Sequence, residues 1–359
     1  MMKKLLIFIL LLFISGCEKV KEKPREPIEE NYKVSLIAVG DNLIHQTIYQ
    51  AAATDGGYDF KPIFEEIKPY IKTFDLAFIN QETILGGSEI GLSSYPRFNS
   101  PHELGDAVID SGFNLISIAN NHTLDRGEIA IGNSINYWQN KDIIYSGSEA
   151  EDVSNIKYFE KKNISFAFVA YTYGTNGITI PNGKEYLANL YDNEKAFNDL
   201  KEARQKAEIV IVSMHWGNEY ESLPSSIQKE QANYLSSLGV DIIIGHHPHV
   251  IQPVDLIKND SQQTFVIYSL GNFLSDQVGI DRLIGMAVSL DINKNIKNNE
   301  IKINISNYKS RLLYRYKNNN LFKIKQFIDI DEIILSDNDQ YFNDKQELIK
   351  TYFKDIKVE

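Results

Sequence analysis

The sequence predicts a layered α/β fold whose strand ends meet at a cation-binding crevice, and three observations carry this reading. Short β-rich apolar runs recur along the chain, bounded by turn formers, with segments of helical spacing between them. Each run stops at residues able to bind a metal or move a proton. Six of the seven histidines, all but His102, fall in those terminal clusters. Where strands and helices alternate, the carboxyl ends of the strands converge on one crevice, which brings distant residues together.

In chain order, residues 34–39 lead into Gly40, Asp41, Asn42 and, after two apolar residues, His45. Residues 76–79 run into Asn80, Gln81 and Glu82, and residues 115–119 into Asn120, Asn121 and His122, with Asp125 and Arg126 close behind. Residues 209–214 end at His215, Trp216 and Gly217, and residues 240–244 deliver Gly245, His246, His247, Pro248 and His249. The sixth run, 265–268, precedes Ser269, Leu270, Gly271, Asn272 and Phe273. Helical spacing is clear over 186–208 and 225–238. Residues 286–305 and 311–330 alternate apolar and polar positions around Asn-rich turns, the mark of half-buried antiparallel strands. A main domain is therefore expected at 34–280. Residues 281–359 supply strands that complete the second sheet and, from 331, a terminal segment with weak helical spacing and no chemistry.

With 359 residues, 43% hydrophobic and 24% charged, the chain has enough apolar surface for one large domain with appendages. Its net charge of -11 argues against an electrostatic grip on nucleic acid or anionic lipid. The single cysteine, Cys17, can form neither an internal disulfide nor a thiolate metal cage. Any cation must use imidazole, carboxylate and carboxamide, a donor set suited to Mn, Fe, Zn or Co.

The first residues read as an export signal over 1–16: Lys3 and Lys4, an apolar run over 5–14, then Ser15 and Gly16. That run is shorter than the roughly 20 apolar residues a membrane-spanning helix needs. Ile14, Ser15, Gly16 and Cys17 resemble the lipobox of bacterial lipoproteins, which implies acylation of Cys17 and anchoring on the outer face of the membrane. Residues 17–33, charged and holding two prolines, are expected to form a solvated tether.

Two further features bear on the crevice. His247 and His249, one residue apart in a segment read as extended, should face one site across a stiff Pro248, with His246 pointing away to a hydrogen bond within the turn. Arg97 and Arg126 can pair with a carboxylate or phosphate, or sit in structural ion pairs. The turn-rich loop 171–177, YTYGTNG, either lines the crevice or is a plain strand end.

The ordered motifs GDNLIH, NQE, NNH, HWG, GHHPHV and SLGNF, spanning residues 34–273, resemble the CapA family of poly-γ-glutamate capsule synthesis proteins. That family is similar to calcineurin-type metallophosphoesterases, so the resemblance implies a four-layer α/β/β/α sandwich of the metallophosphoesterase type holding two divalent ions (Mn, Fe or Zn). It places Asp41, His45 and His249 around one ion, Glu82 as the bridging carboxylate, and Asn121, His215 and His247 around the second. His122 becomes the acid facing substrate, and Asn272 joins Arg97 and Arg126 as candidate substrate contacts. The sequence departs from the phosphoesterase pattern twice: Leu43 stands where a His is expected two residues after the Asp, and Glu82 replaces an Asp. The function implied is capsule or envelope polymer synthesis beside a membrane synthetase, by hydrolysis or transfer at phosphoester or γ-glutamyl bonds. The alternatives are a non-catalytic polymer-handling scaffold and a general exported phosphodiesterase.

Overall fold

The computed structural model describes residues 29–259 and 262–359. Residues 1–16, read as an export signal, and Cys17 lie outside the described residues. Two sheets stack face to face. The nine-stranded sheet runs Leu321–Gln326, Glu300–Asn318, Ile284–Lys297, Glu29–Asn42, Leu76–Asn80, Leu115–Ser117 and Ile144–Ser146, with Asn272–Leu274 and Lys357–Val358 attached off this path. The six-stranded sheet runs Val254–Lys258, Gln263–Ile267, Ile242–His246, Ile209–His215, Ile164–Thr172 and Lys157–Lys161.

The two-residue period of a strand explains the layering. Leu36, Ala38, Leu76 and Phe78 turn inward to meet Phe166, Phe168, Ile211, Ile244 and Ile267 of the facing sheet. Their neighbours Ile37, Val39, Ala77 and Ile79 turn outward. They pack under the helices His102–Asp110 and Gly127–Gln139 through Leu104, Val108, Ile131, Ile135 and Trp138. On the opposite outer face, Val210, Val212 and Ile243 pack against Asn193–Lys206 and Ser226–Ser237 through Leu200, Ala203, Ala232 and Leu235. Three apolar cores thus separate four layers, and the fold is the expected α/β/β/α sandwich. The helices on this last face start where their caps dictate. Asp192 accepts from the backbone of Glu194 and Lys195, and Ser225 and Gln228 form a reciprocal capping box.

All six runs read from the sequence are strands, but one expectation changes. Residues 29–33, read as tether, extend the first strand, pairing Glu29 with Lys297 and Lys33 with Asn293, because the partner strand is long enough to template them. The strands after residue 284 complete one of the two sheets, the one that holds the first strand. Ile284–Lys297 pairs antiparallel with Glu29–Asn42, so the C-terminal meander widens the sheet holding the first strand. The helix Asn338–Ile349 then buries Ile349 in the inter-sheet core.

Close backbone approach at two glycines brings the strand ends of the two sheets together. The chain leaves the six-stranded sheet after Ile267 and crosses to pair Asp41 with Asn272 in the other. A Cβ on Gly40 would lie 1.8 Å from the Gly271 carbonyl oxygen, and one on Gly245 would lie 2.2 Å from the Tyr268 oxygen. Asp41 N–H donates to that same Gly271 oxygen at 3.0 Å. We expect Gly40→Ala to destabilise the protein by about 1–3 kcal/mol, the cost typical of overpacking. Denaturant unfolding checks this, and an unchanged midpoint would contradict the close approach.

Candidate metal centre

Each side chain at the crevice is delivered by a strand end and fixed by a local bond. Asp41 closes the first strand, with Oδ1 accepting from Asn80 Nδ2 at 2.7 Å. Glu82 lies two residues past the second strand, its N–H 3.3 Å from Asn42 O. Gln81 bridges the loop by accepting from Asn42 Nδ2 at 2.7 Å and donating to Thr83 O at 2.8 Å. Past the third strand, Thr123 Oγ1 accepts from Asn120 N and donates to Ile118 O, and Asn120 Oδ1 accepts from His122 N, which fixes Asn121 and His122 in a tight turn.

His215 and His246 end neighbouring parallel strands and sit side by side in register. Their Nδ1 atoms are 2.8 Å apart, and His246 Nε2 lies 2.6 Å from Ser213 Oγ. A His215 bonded through Nδ1 presents Nε2 to Asn121 Oδ1 at 2.9 Å and Glu82 Oε1 at 3.8 Å. His249 lies on the other side of Glu82. Its Nε2 is 3.6 Å from Glu82 Oε1, while Nδ1 sits between Asp41 Oδ2 at 3.1 Å and Asn272 Oδ1 at 3.0 Å.

These donors form overlapping groupings whose ligand atoms lie within 4.8 Å of one another: Glu82, His215 and His247; Asp41, Glu82 and His249; Asp41, His215 and His246; and Glu219, His247 and His249. Asp41, Glu82, His215, His247 and His249 each belong to two of them, so the donors form one continuous cluster. Asp41 and Glu82 are fully buried, and both Glu82 oxygens lack a hydrogen-bond partner. Among the described residues no Lys or Arg pairs with either carboxylate; only imidazoles do. Buried carboxylates without hydrogen bonds need a positive charge beside them. Bonds of about 2.0–2.2 Å from a first-row cation set its ligands roughly 3–3.5 Å apart, close to the separations seen here. The residues present therefore fit divalent cations.

The electrostatics agree. Burial, then the nearby Asp41 charge, pushes the Glu82 carboxyl well above the usual range. Burial, then the neighbouring imidazoles, pushes His215 well down and His247 to about 3. His247 and His215 are thus neutral and ready to ligate. Burial would lower His249 too, but Glu82 and the Asp41 bond outweigh it and raise its pKa to about 9. Burial likewise opposes ionisation of Asp41, yet the His249 bond and charge hold that carboxyl below its ordinary value. Without a metal, an imidazolium proton supplies the compensating charge.

The structure brings Asp41, Glu82, Asn121, His215, His247 and His249 together, as the sequence suggested, but by another backbone route. His247 and His249 have φ of 104° and 58°, so they converge through a left-handed turn around Pro248 and not from an extended segment. His246 does make a hydrogen-bonding role its own, though across to the next strand and not within the turn. His45 joins none of the groupings. It precedes the helix Gln46–Ala51, with Nδ1 3.1 Å from Leu43 O and 3.2 Å from Asp276 N, because Leu43 and Ile44 are drawn into the core.

The expected substrate contacts divide. Arg126 spends its fork on Ile90 O, Gly91 O and Ser93 Oγ, a loop-pinning role. Asn272 commits its amide to His249, Gln277 and Arg282 O, so it positions a ligand instead of facing substrate. Arg97 is exposed and lines a cavity of about 270 Å3 together with Asn121, His122, Asn176 and Glu219. His122 Nδ1 lies 2.7 Å from Asp125 Oδ2, which can only accept, so Nδ1 carries the hydrogen and Nε2 is left for the cavity. The loop 171–177 lines the crevice: Tyr173 packs on His215 and His247, and Asn176 accepts from Asn121. Sequence reasoning named Asn80 and Asn176 only as members of a cluster and a loop, with no role of their own, and passed over Glu219, which only its proximity to the HWG motif could have marked.

Cation uptake should release protons, because the Glu82–His249 pair holds at least one in the metal-free protein. Apparent affinity for Mn2+ therefore falls as pH drops below the His249 value of about 9, by up to about tenfold per pH unit for that proton. Calorimetry in buffers of different ionisation enthalpy reads the proton count, and pH-independent uptake without proton release would contradict this assignment.

Comparison with known proteins places the chain. The capsule biosynthesis protein CapA of Bacillus anthracis is 29% identical over 283 residues, covering 76% of this chain and 67% of its own. The PGA biosynthesis protein CapA of Bacillus subtilis (strain 168) is 29% identical over 290 residues, covering 76% and 71%. Among solved structures, Vps29 of Entamoeba histolytica complexed with zinc aligns over 76% of this chain and 98% of that chain. Its 9% identity and TM-score of 0.26 are too low to compare site residues. The family model of the bacterial capsule synthesis protein PGA_cap matches residues 35–277. That match covers well over half the sequence, every candidate ligand of the cluster included, and the chain belongs to the PGA_cap family of bacterial capsule synthesis proteins.

Proposed function

We propose that this protein is a cation-dependent component of capsule polymer biosynthesis, anchored on the outer face of the cell membrane and acting on phosphoester or γ-glutamyl bonds of poly-γ-glutamate or a related envelope polymer. The observation that carries the chemistry is Glu82, a fully buried carboxyl group with no hydrogen bond, grouped with the imidazoles of His215, His247 and His249. The polymer is inferred from the relatives named for capsule and PGA biosynthesis.

Asp41, Glu82 and His249 would hold one cation, and Glu82, Asn121, His215 and His247 the other. Two divalent cations there would supply water ionised near neutral pH and positive charge for oxygens that become anionic during reaction. The chain's own residues do the rest. Asp125 fixes the His122 tautomer, leaving Nε2 to hold a proton for a leaving oxygen or nitrogen on the cavity side. Phe98 meets the His122 ring edge-on at 4.7 Å and limits its rotation. Arg97 offers a guanidinium to an anionic substrate group at the cavity wall. The net charge of -11 repels a polyanion over much of the surface, so binding depends on these local positive groups.

His122→Ala should lower turnover of phosphoester or γ-glutamyl substrates by about 10²–10⁴-fold while leaving bound cation unchanged. Assays on a substrate panel with added Mn2+ or Zn2+ check this; undiminished turnover by the variant would contradict the His122 role, and absence of turnover in the wild type with capsule formation retained in the variant would favour a polymer-handling scaffold. The anchor is tested separately. Cys17→Ser should move the protein from the membrane fraction to the soluble fraction, and unchanged membrane retention would remove lipidation from the account.

A further inference from the structure

Glu219 is a carboxylate at the cluster to which the resemblance assigns no role. The loop that carries it is tied to the histidine turn at two points: Trp216 N–H donates to His246 O at 3.1 Å, and Tyr220 N–H donates to Pro248 O at 2.8 Å. Those bonds hold Glu219 against the two imidazoles that converge there, with the ligand atoms of Glu219, His247 and His249 within 4.8 Å of one another. His247 and His249 also group with Glu82. Glu82 is fully buried and Glu219 is exposed, so the histidine pair has one carboxylate on its protein side and another on its solvent side. His247 is only 3% exposed, and its Nδ1 has no hydrogen-bond partner.

Ligand number points the same way. With His45 held by Leu43 and Asp276, the first cation keeps Asp41, Glu82 and His249, one protein donor short of four. Charge also favours a further carboxylate, since two divalent cations against two carboxylates leave an excess of two positive charges. Resting on the reading that this cluster holds divalent cations, we propose that Glu219 is a further cation ligand. It closes the first site from the solvent side in the place His45 was expected to fill. As the exposed ligand it is also the exchangeable one: an oxygen of an anionic substrate can replace the Glu219 carboxylate without disturbing the buried donors.

Cobalt titration of the full chain in detergent tests this, reading Co2+ content by elemental analysis and ligand field by visible absorption. The variants are Glu219→Gln, Glu219→Asp and His45→Ala. Because Glu219 is exposed, the cation-free melting temperature of Glu219→Gln should match wild type, and the temperature gained on adding Co2+ should shrink. The weaker-bound Co2+ should lose at least about tenfold in affinity, with a changed absorption band. Glu219→Asp should recover part of that loss, and His45→Ala should bind as wild type does. Wild-type affinity and spectrum in Glu219→Gln, or the loss appearing in His45→Ala instead, would overturn the Glu219 assignment alone. A wild-type chain that takes up no Co2+ would overturn both this assignment and the cation reading beneath it.

Discussion

Two carboxylates, Asp41 and Glu82, are buried at the junction of the two sheets with no lysine or arginine partner among the described residues. Removing an ionised carboxylate from water costs on the order of several kcal/mol even after relaxation, so a positive charge must be supplied there. Around these groups the protein arranges neutral imidazoles and carboxamides, donors to a cation but poor counter-charges by themselves. His249 partly relieves the strain by holding a proton between them. The centre is therefore organised by an electrostatic deficit, and the fold can be understood as the scaffold that maintains it.

The scaffold does so by geometry at strand ends. A sandwich with parallel strands in both sheets points several carboxyl ends at one rim, and the crossing segment 268–272 ties the rims of the two sheets together. Glycines stand where backbones touch, at Gly40 against Gly271 and at Gly245 against Tyr268. Around the donors sits a second set of residues whose task is orientation: Asn80 for Asp41, His246 and Ser213 for His215, Asn272 for His249 and Asp125 for His122. Such partners fix ring orientation and tautomer, on which ligation depends.

Much of this was legible in the sequence because the strands are short, apolar and end in polar clusters. Residues 34–39 read as one short apolar run, which is what a strand buried on both faces shows, and the structure divides its alternate residues between two cores. The convergence of His215, His247 and His249 followed from position at strand ends. Backbone conformation was not legible: the left-handed φ values at His247 and His249 have no signal in two histidines flanking a proline. Position in sequence misled for His45, which follows the motif Asp closely but is turned to the backbone by the burial of Leu43 and Ile44. The half-buried strands of 284–326 were legible but their pairing with Glu29–Asn42 was not, because alternation shows that a strand has one buried face without showing which neighbour it pairs with. Asn272 read as a substrate contact for a similar reason: its partners Gln277 and Arg282 O come from the loop and short helix that follow it, whose path no local pattern encodes.

The most direct test is anomalous X-ray scattering from crystals grown with Mn2+. The account predicts two anomalous peaks flanking Glu82, one beside Asp41 and His249, the other beside Asn121, His215 and His247. Peaks absent from the Glu82 carboxylate, or located only at surface acids, would contradict it.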